Sequence, residues 1–259
     1  MKLKYTLIFF VTLFVLTGCS KDEKLEEDVT IPPSQQEQSE EEIKNLPYTF
    51  PLTGIKTAEE PTSRPIAITI NNHPDARPQS GISKADIVYE MLVEGDATRY
   101  LAIFQSNIPE KIGPVRSARD YFIEIAKGFN SLYIAHGYSP EAHQMLNSGV
   151  VDHINGMQYD GIYFNRSANR KAPHNSYITA ENIALATQKL NISLENEKNV
   201  AYTFYADEDS VKMGSKANKI YMNYFSQNSS YSSIYSYDAE SKKYYKSSPQ
   251  RNTVDELVD

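Results

Sequence analysis

Residues 64–72, RPIAITINN, form a short apolar run bounded by Pro65 on one side and by Asn71, Asn72 and Pro74 on the other. A run that brief reads as a buried strand. In ADIVYEMLVEG (85–95) the pattern becomes alternation. Ile87, Tyr89, Met91 and Val93 share one face, and Glu90, Leu92 and Glu94 the other. TRYLAIFQS (98–106) reads as the returning strand of a hairpin across Gly95, Asp96, Ala97 and Thr98. That four-residue loop sets Glu94 opposite Arg99 as a cross-strand pair.

The period then lengthens. ARDYFIEIAKG (118–128) places Tyr121, Phe122, Ile125 and Phe129 at helical spacing, with Gly128 as the stop. SLYIAHG (131–137) is a strand, and SPEAHQML (139–146) is a helix opened by Ser139 as N-cap and Pro140 at the first helical position. TAENIALATQKL (179–190) is another capped helix. Near residue 195 the character changes to short, tyrosine-rich alternating segments: NVAYTFYA, ANKIYMNYF, SSYSSIYSYD and KKYYKSS, with a turn at DAES (238–241). The expected fold is an α/β N-terminal domain, a mixed sheet with helices, over residues 47–195. A smaller antiparallel β-rich domain follows over 196–259. QRNTVDELVD shows no closing strand, so that second domain is expected to be cut short.

The N-terminus carries an address. Lys2 and Lys4 precede an apolar run, Tyr5–Leu16, too short to span a bilayer and suited to a signal peptide over residues 1–18. LTGCS (16–20) has the form of a lipobox, with Cys19 as the lipidation site. Two or more acyl chains, palmitate among them, at about 0.8 kcal/mol per buried methylene, anchor a protein to a membrane. The expected location is the extracytoplasmic face of the cell membrane. Cys19 is the only cysteine, which excludes an internal disulfide and a cysteine-based zinc site. Residues 19–46 read as a disordered acidic tether; 21–45 hold nine acids against three lysines. The whole chain carries −7, so the folded part is close to neutral, and nucleic acid is not an expected partner.

KIGPVRSARDYFIEIAKG (111–128) raises the sharpest question. Ser117 as N-cap and Asp120 three residues on would make a shortened capping box. Arg116 and Arg119 would then lie at the positive end of the helix dipole, where cations are unfavourable by some tenths of a kcal/mol. Two readings follow: Glu90 or Glu94 pairs with them internally, or they receive an anionic ligand. Glu90 and Glu94 would lie about 13–14 Å apart along a strand, too far for a retaining-glycosidase pair. Arg166 and Arg170 in FNRSANRKAPHN add a second cationic loop. Of the five histidines, His136 at a strand end and His174 suit a loop-built site best. There is no His-Glu-x-x-His, P-loop, Gly-x-Gly-x-x-Gly or Gly-x-Ser-x-Gly, so neither metal nor cofactor is expected.

Several motifs in order resemble the YerB-like lipoproteins, an envelope family whose domain has no assigned function. They lie between Arg64 and Ile183. ARPQSG (76–81), GPVRSAR (113–119) and HGYSP (136–140) match intact. Tyr89-Glu90, the Glu94, Gly95, Thr98 and Arg99 of EGDATR, and Arg170, His174 and Asn175 also match. Asn71-Asn72 stands where the family pattern has Asp-Asn, a lost charge. The resemblance implies a two-domain exported lipoprotein and supplies no reaction.

The leading reading is a membrane-anchored binding or accessory protein that recognises an anionic cell-wall polymer or an envelope protein. Its ligand would meet Arg99, Arg116, Ser117, Arg119, Arg170 and Asn175. The alternative is a cell-wall hydrolase or lyase, with Glu90 or Glu94 as acid or base and His136 or His174 assisting. A purely structural module would leave these residues scattered.

Overall fold

The computed structural model describes residues 42–198, 200–205, 214–249, 251, 252, 255 and 256. The signal peptide, Cys19 and the tether up to residue 41 lie outside the described residues. Residues 42–44 form a helical turn. Two short strands follow, β1 (Tyr48–Thr49) and β2 (Lys56–Thr57), paired with each other.

The central strand is β3 (Ile66–Asn71), and all six of its residues are buried. It lies in a five-stranded sheet with β4 (Ile87–Val93), β5 (Ala97–Phe104), β7 (Leu132–Ala135) and β8 (His153–Asn155), in the order β4-β5-β3-β7-β8. The β4, β5 and β3 pairings are antiparallel, and β7 and β8 run parallel to β3. β6 (Lys111–Ile112), β9 (Phe164–Arg166) and β10 (Ser176–Thr179) form a separate three-stranded sheet. The helices are α1 (Asp120–Gly128), α2 (Pro140–Asn147), α3 (Gly156–Tyr159) and α4 (Ala180–Leu190).

Both faces of the main sheet are covered, which explains why all six residues of β3 are buried and four of them are apolar. On one face Ile66, Ile68 and Ile70 pack with Ile112, Ile178 and, from α4, Ile183 and Ala186. On the other, Ala67, Leu101 and Tyr133 pack with Phe122, Ile123 and Ala126 of α1 and Ala142 and Leu146 of α2. Burying each large side chain contributes about 1.5–3 kcal/mol. The alternation of β4 holds as well, since Ile87, Tyr89, Met91 and Val93 all pack on the helix-covered face.

Local chemistry sets the helix starts. Ser139 accepts the Ala142 N–H at 3.2 Å ahead of Pro140, and Thr179 accepts the Asn182 N–H at 3.1 Å. Helix α1 departs from expectation. It begins at Asp120, its N-cap is Arg119, and no side chain caps it. Residues 115–118 are extended because their backbone bonds elsewhere: Arg116 N–H to Thr69 O at 2.9 Å and Ala118 N–H to Gly137 O at 2.9 Å. Ser117 Oγ donates instead to His136 O at 3.2 Å, so Ser117 is not an N-cap. Gly128 is the last helical residue, and the left-handed turn falls on Asn130, at φ 52°.

The β4–β5 hairpin is also tighter than expected. Val93 pairs with Ala97, leaving a three-residue loop, Glu94–Gly95–Asp96, with φ of 73° at Gly95 and 50° at Asp96. Arg99 therefore faces Met91 across the ladder, and Glu94 leaves the sheet.

The C-terminal part is an antiparallel sheet, β11 (Lys219–Met222), β12 (Ser233–Asp238), β13 (Lys243–Ser248) and β14 (Arg251–Asn252), in sequential order. The 238–241 turn is present, with Ser241 N–H donating to Asp238. Two expectations change here. Residues 200–205 are not a strand; Tyr202 N–H bonds Pro51 O at 2.9 Å, while Asn199 and Ala206 lie outside the described residues. QRNTVDELVD does contain a short strand, β14, paired with β13. Beyond it, Asp255 accepts the N–H groups of Gly81 and Ser83 at 2.9 and 2.8 Å.

Candidate functional site

The chain turns sharply at the end of β3. Asn71 Oδ1 accepts the His73 N–H at 2.9 Å, and a 3-10 turn, Pro74–Ala76, follows. His73 caps that turn, its Nδ1 accepting the Asp75 N–H at 3.2 Å. Asn71 Nδ2 reaches His174 Nδ1 at 2.9 Å, and the two imidazoles stack with centroids 4.5 Å apart. These residues wall one side of a cavity of about 360 Å³. The hairpin loop with Glu94, Thr98 and Arg99 of β5, and Arg116 wall the rest; Tyr231 closes it from the C-terminal part.

The cavity is crowded with cations. Arg119 grips Glu94 through Nε at 2.7 Å to Oε1 and 2.9 Å to Oε2, with a third contact from its NH2. That hydrogen bonding holds the Glu94 carboxyl down at about 2. Arg99 is buried and donates to Ser117 O at 2.7 Å. Burial, then repulsion from Arg119 and Arg116, lowers its pKa to about 10. Arg116 makes no ion pair among the described residues, and its Nε is buried without a hydrogen-bond partner. Burial, then Arg119, lowers its pKa. Of the two readings of the arginines, internal pairing describes Arg119 with Glu94. It does not describe Arg116.

The other candidates do not join this cavity. Glu90 lies across the sheet from α1, beneath the C-terminal sheet. Its Oε1 accepts from Asn72 Nδ2 and Thr98 Oγ1, each at 2.9 Å. Its Oε2 accepts from Lys246 Nζ at 2.8 Å and Ser233 Oγ at 3.2 Å. Lys246 also donates to Tyr100 OH at 2.5 Å, and burial lowers its pKa against the pull of Glu90. This pair borders a second cavity of about 770 Å³, edged by Tyr224, Tyr235 and Tyr245. Both Glu90 oxygens are occupied, as a structural anchor requires and a proton-transfer group does not.

His136 belongs to a third cluster. Arg166 NH2 can only donate, so His136 Nε2 accepts it at 3.0 Å and Nδ1–H donates to Ser176 Oγ at 2.7 Å. Arg166 is held by Asp160 at 2.9 Å and by Asn175 Oδ1 at 3.0 Å. Burial, then Arg166, lowers the His136 pKa. The ring lies so close to Gly156 that an added Cβ there would fall 2.2 Å from Nδ1. Arg170 donates to Pro78 O at 2.5 Å and to Glu256 at 3.4 Å, away from the cavity lining. Arg116 and His174 thus share a cavity, while Glu90 and His136 stand apart from it and from each other.

Sequence reasoning passed over Asn71 and His73. The Asn-Asn-His-Pro turn after a buried strand was the available signal. Its meaning depends on His174, a hundred residues on. His73, Asp75 and His174 are also of metal-ligand type, with one ligand atom of each within 4.8 Å of the others. Among the described residues no helix is long and apolar enough to cross a membrane.

Comparison with known proteins agrees with this architecture. Residues 52–193 match the family model described as "Protein of unknown function (DUF3048) N-terminal domain". A protein of Bacillus subtilis (strain 168), named "Putative lipoprotein YerB", is 44% identical over 206 residues. Those residues are 79% of this chain, which spans only 61% of that relative's length. A crystal structure of YerB protein from Bacillus subtilis superposes with a TM-score of 0.70 at 41% identity, covering 81% of this chain and 69% of the other. The chain belongs to the family defined by the DUF3048 N-terminal domain, whose function is unknown.

Proposed function

We propose that this protein is a lipoprotein, anchored through lipid on Cys19 to the outer face of the cell membrane, that binds an anionic group of an envelope polymer or protein. The lipobox LTGCS and the lipoprotein name of the Bacillus subtilis relative support the anchor. Arg116 carries the binding reading. A half-buried guanidinium with no carboxylate partner among the described residues, beside Arg99 and His174 in one cavity, is unfavourable until an anion arrives. Arg119 contributes by fixing the hairpin loop through Glu94 at the cavity's edge. The hydrolase or lyase reading draws less support, because the carboxylates of both Glu90 and Glu94 and both ring nitrogens of His136 are bonded already. Among the described residues, that leaves only His174 of its four candidates with an open nitrogen.

The test is binding of fluorescent soluble wall fragments to the full chain in non-ionic detergent. Arg116→Ala should weaken it about tenfold or more, the size of a hydrogen bond to a charged group. Equal binding by the variant would remove the cavity from the account. Mass spectrometry of the recovered fragments should show them uncleaved; cleavage would replace binding by catalysis.

A further inference from the structure

The two stacked histidines of the cavity have their tautomers set by their neighbours. A backbone N–H can only donate, so the Asn71 atom that accepts from His73 is its carbonyl oxygen, and its amino group must face His174. An amino group also only donates, so His174 Nδ1 accepts. A neutral imidazole that accepts at Nδ1 carries its proton on Nε2. The same logic fixes His73, whose Nδ1 receives the Asp75 backbone N–H at 3.2 Å. The Asp75 carboxylate is farther away, at 3.7 Å. Neither Nε2 has a hydrogen-bond partner among the described residues, and both rings line the cavity.

We infer that the cavity receives a tetrahedral phosphoryl group, held by the Nε2–H groups of His73 and His174 and by the guanidiniums of Arg116 and Arg99. This rests on the anion-binding reading above. A metal ion is the competing occupant of His73, Asp75 and His174. Metal-bound histidines offer a lone pair at one nitrogen and donate the other N–H to an acceptor. Here each Nδ1 faces a donor, the reverse of that arrangement. Neutral N–H donors suit an anion. Burial, then His73 and Arg116, lowers the His174 pKa, which favours the neutral ring. Arg99 and Arg116 line the cavity against the single carboxylate of Glu94, which Arg119 already holds from the cavity's edge, so the lining stays positive. The donors come from the 71–76 turn, the 170–175 loop, β5 and the segment before α1. That spread fits a group with three oxygens better than a flat carboxylate with two.

The experiment is calorimetric titration of the full chain in non-ionic detergent with inorganic phosphate, acetate and Zn²⁺ in turn. Nitrogen-15 imidazole spectra at pH 7.5 accompany it. Phosphate should bind at least tenfold more tightly than acetate, and both rings should show protonated Nε2. Asn71→Asp keeps an acceptor for the His73 N–H but turns the His174 contact into one that wants Nδ1–H. It should weaken phosphate about tenfold or more, the size of one charge-assisted hydrogen bond. His73→Phe, which keeps the stacked ring and loses the donor, should do the same. Equal binding of acetate would overturn the phosphoryl assignment and leave the anion reading standing; binding of neither anion would overturn both. Zn²⁺ binding that needs His73 and His174 would overturn the tautomer argument. Competition against phosphate by a glycerol-phosphate polymer or by phosphatidylglycerol vesicles supports the assignment in either case and separates wall from lipid as its source.

Discussion

Glu90 with Lys246, and Arg116 with Arg99, are two places where charge leaves water. They end in opposite states. Glu90 and Lys246 retain only 7% and 22% of their side-chain exposure, and Glu90 has four donors around its two oxygens. Among the described residues Arg116 has no partner carboxylate, and its Nε is unsatisfied. A buried charge with every bond made joins two layers of a protein. A buried charge with bonds left over waits for something to complete it.

The contrast can be broken most severely at its first half. Lys246→Met leaves Glu90 buried without its cation and should lower unfolding stability by about 3–5 kcal/mol in urea titrations. Adding Glu90→Gln should recover most of that loss; if it does not, Lys246 acts through packing and not charge. The His136 cluster is an intermediate case, fully bonded but partly open. Gly156→Ala drives a methyl into the ring, and the strain should cost about 1–3 kcal/mol in the same assay. The second half predicts an opposite sign. Arg116→Met should leave stability unchanged or raise it by about 1 kcal/mol, because an unpaired charge is removed, while anion binding falls. A loss of stability there would mean the guanidinium is satisfied after all.

The smallest effect concerns Glu94. Its pKa in the fold is about 2 against an ordinary 4.5. The unfolded chain therefore takes up the proton first on acidification. The Glu94–Arg119 contribution is fully present above pH 4.5 and is lost as pH falls from there toward 2. Glu94 is two-thirds exposed, so the contribution is at most about 1 kcal/mol. Melting temperatures of the native chain and Glu94→Gln should differ at pH 6 and converge toward pH 2.

Much of the scaffold was legible because local signals agreed with tertiary packing. The apolar run of β3, the alternation of β4 and the Ser139-Pro140 and Thr179 helix starts all survive in the structure. Ser117 misled because its neighbours' backbone groups bond Thr69 and Gly137, which pulls 115–118 out of the helix that the local pattern allows. The hairpin loop was misjudged by one residue, and that moved Glu94 from Arg99 to Arg119. Arg116 and Arg119 stood out in the sequence as badly placed cations. Which of them would find a partner could not be read there, since the answer lies in a hairpin tip some 25 residues away. Asn71 reads as a lost charge in one dimension. In three it decides which nitrogen of His174 carries a proton.

The return of Asp255 to the 81–83 turn has a kinetic consequence. Its contact with Gly81 closes a loop of 174 residues, so it gains nothing until almost the whole chain is in place. It should act as a late latch. In hydrogen exchange, the Gly81 and Ser83 amides should lose protection before the β3 amides do, and truncating the chain at residue 254 should speed unfolding far more than it slows folding.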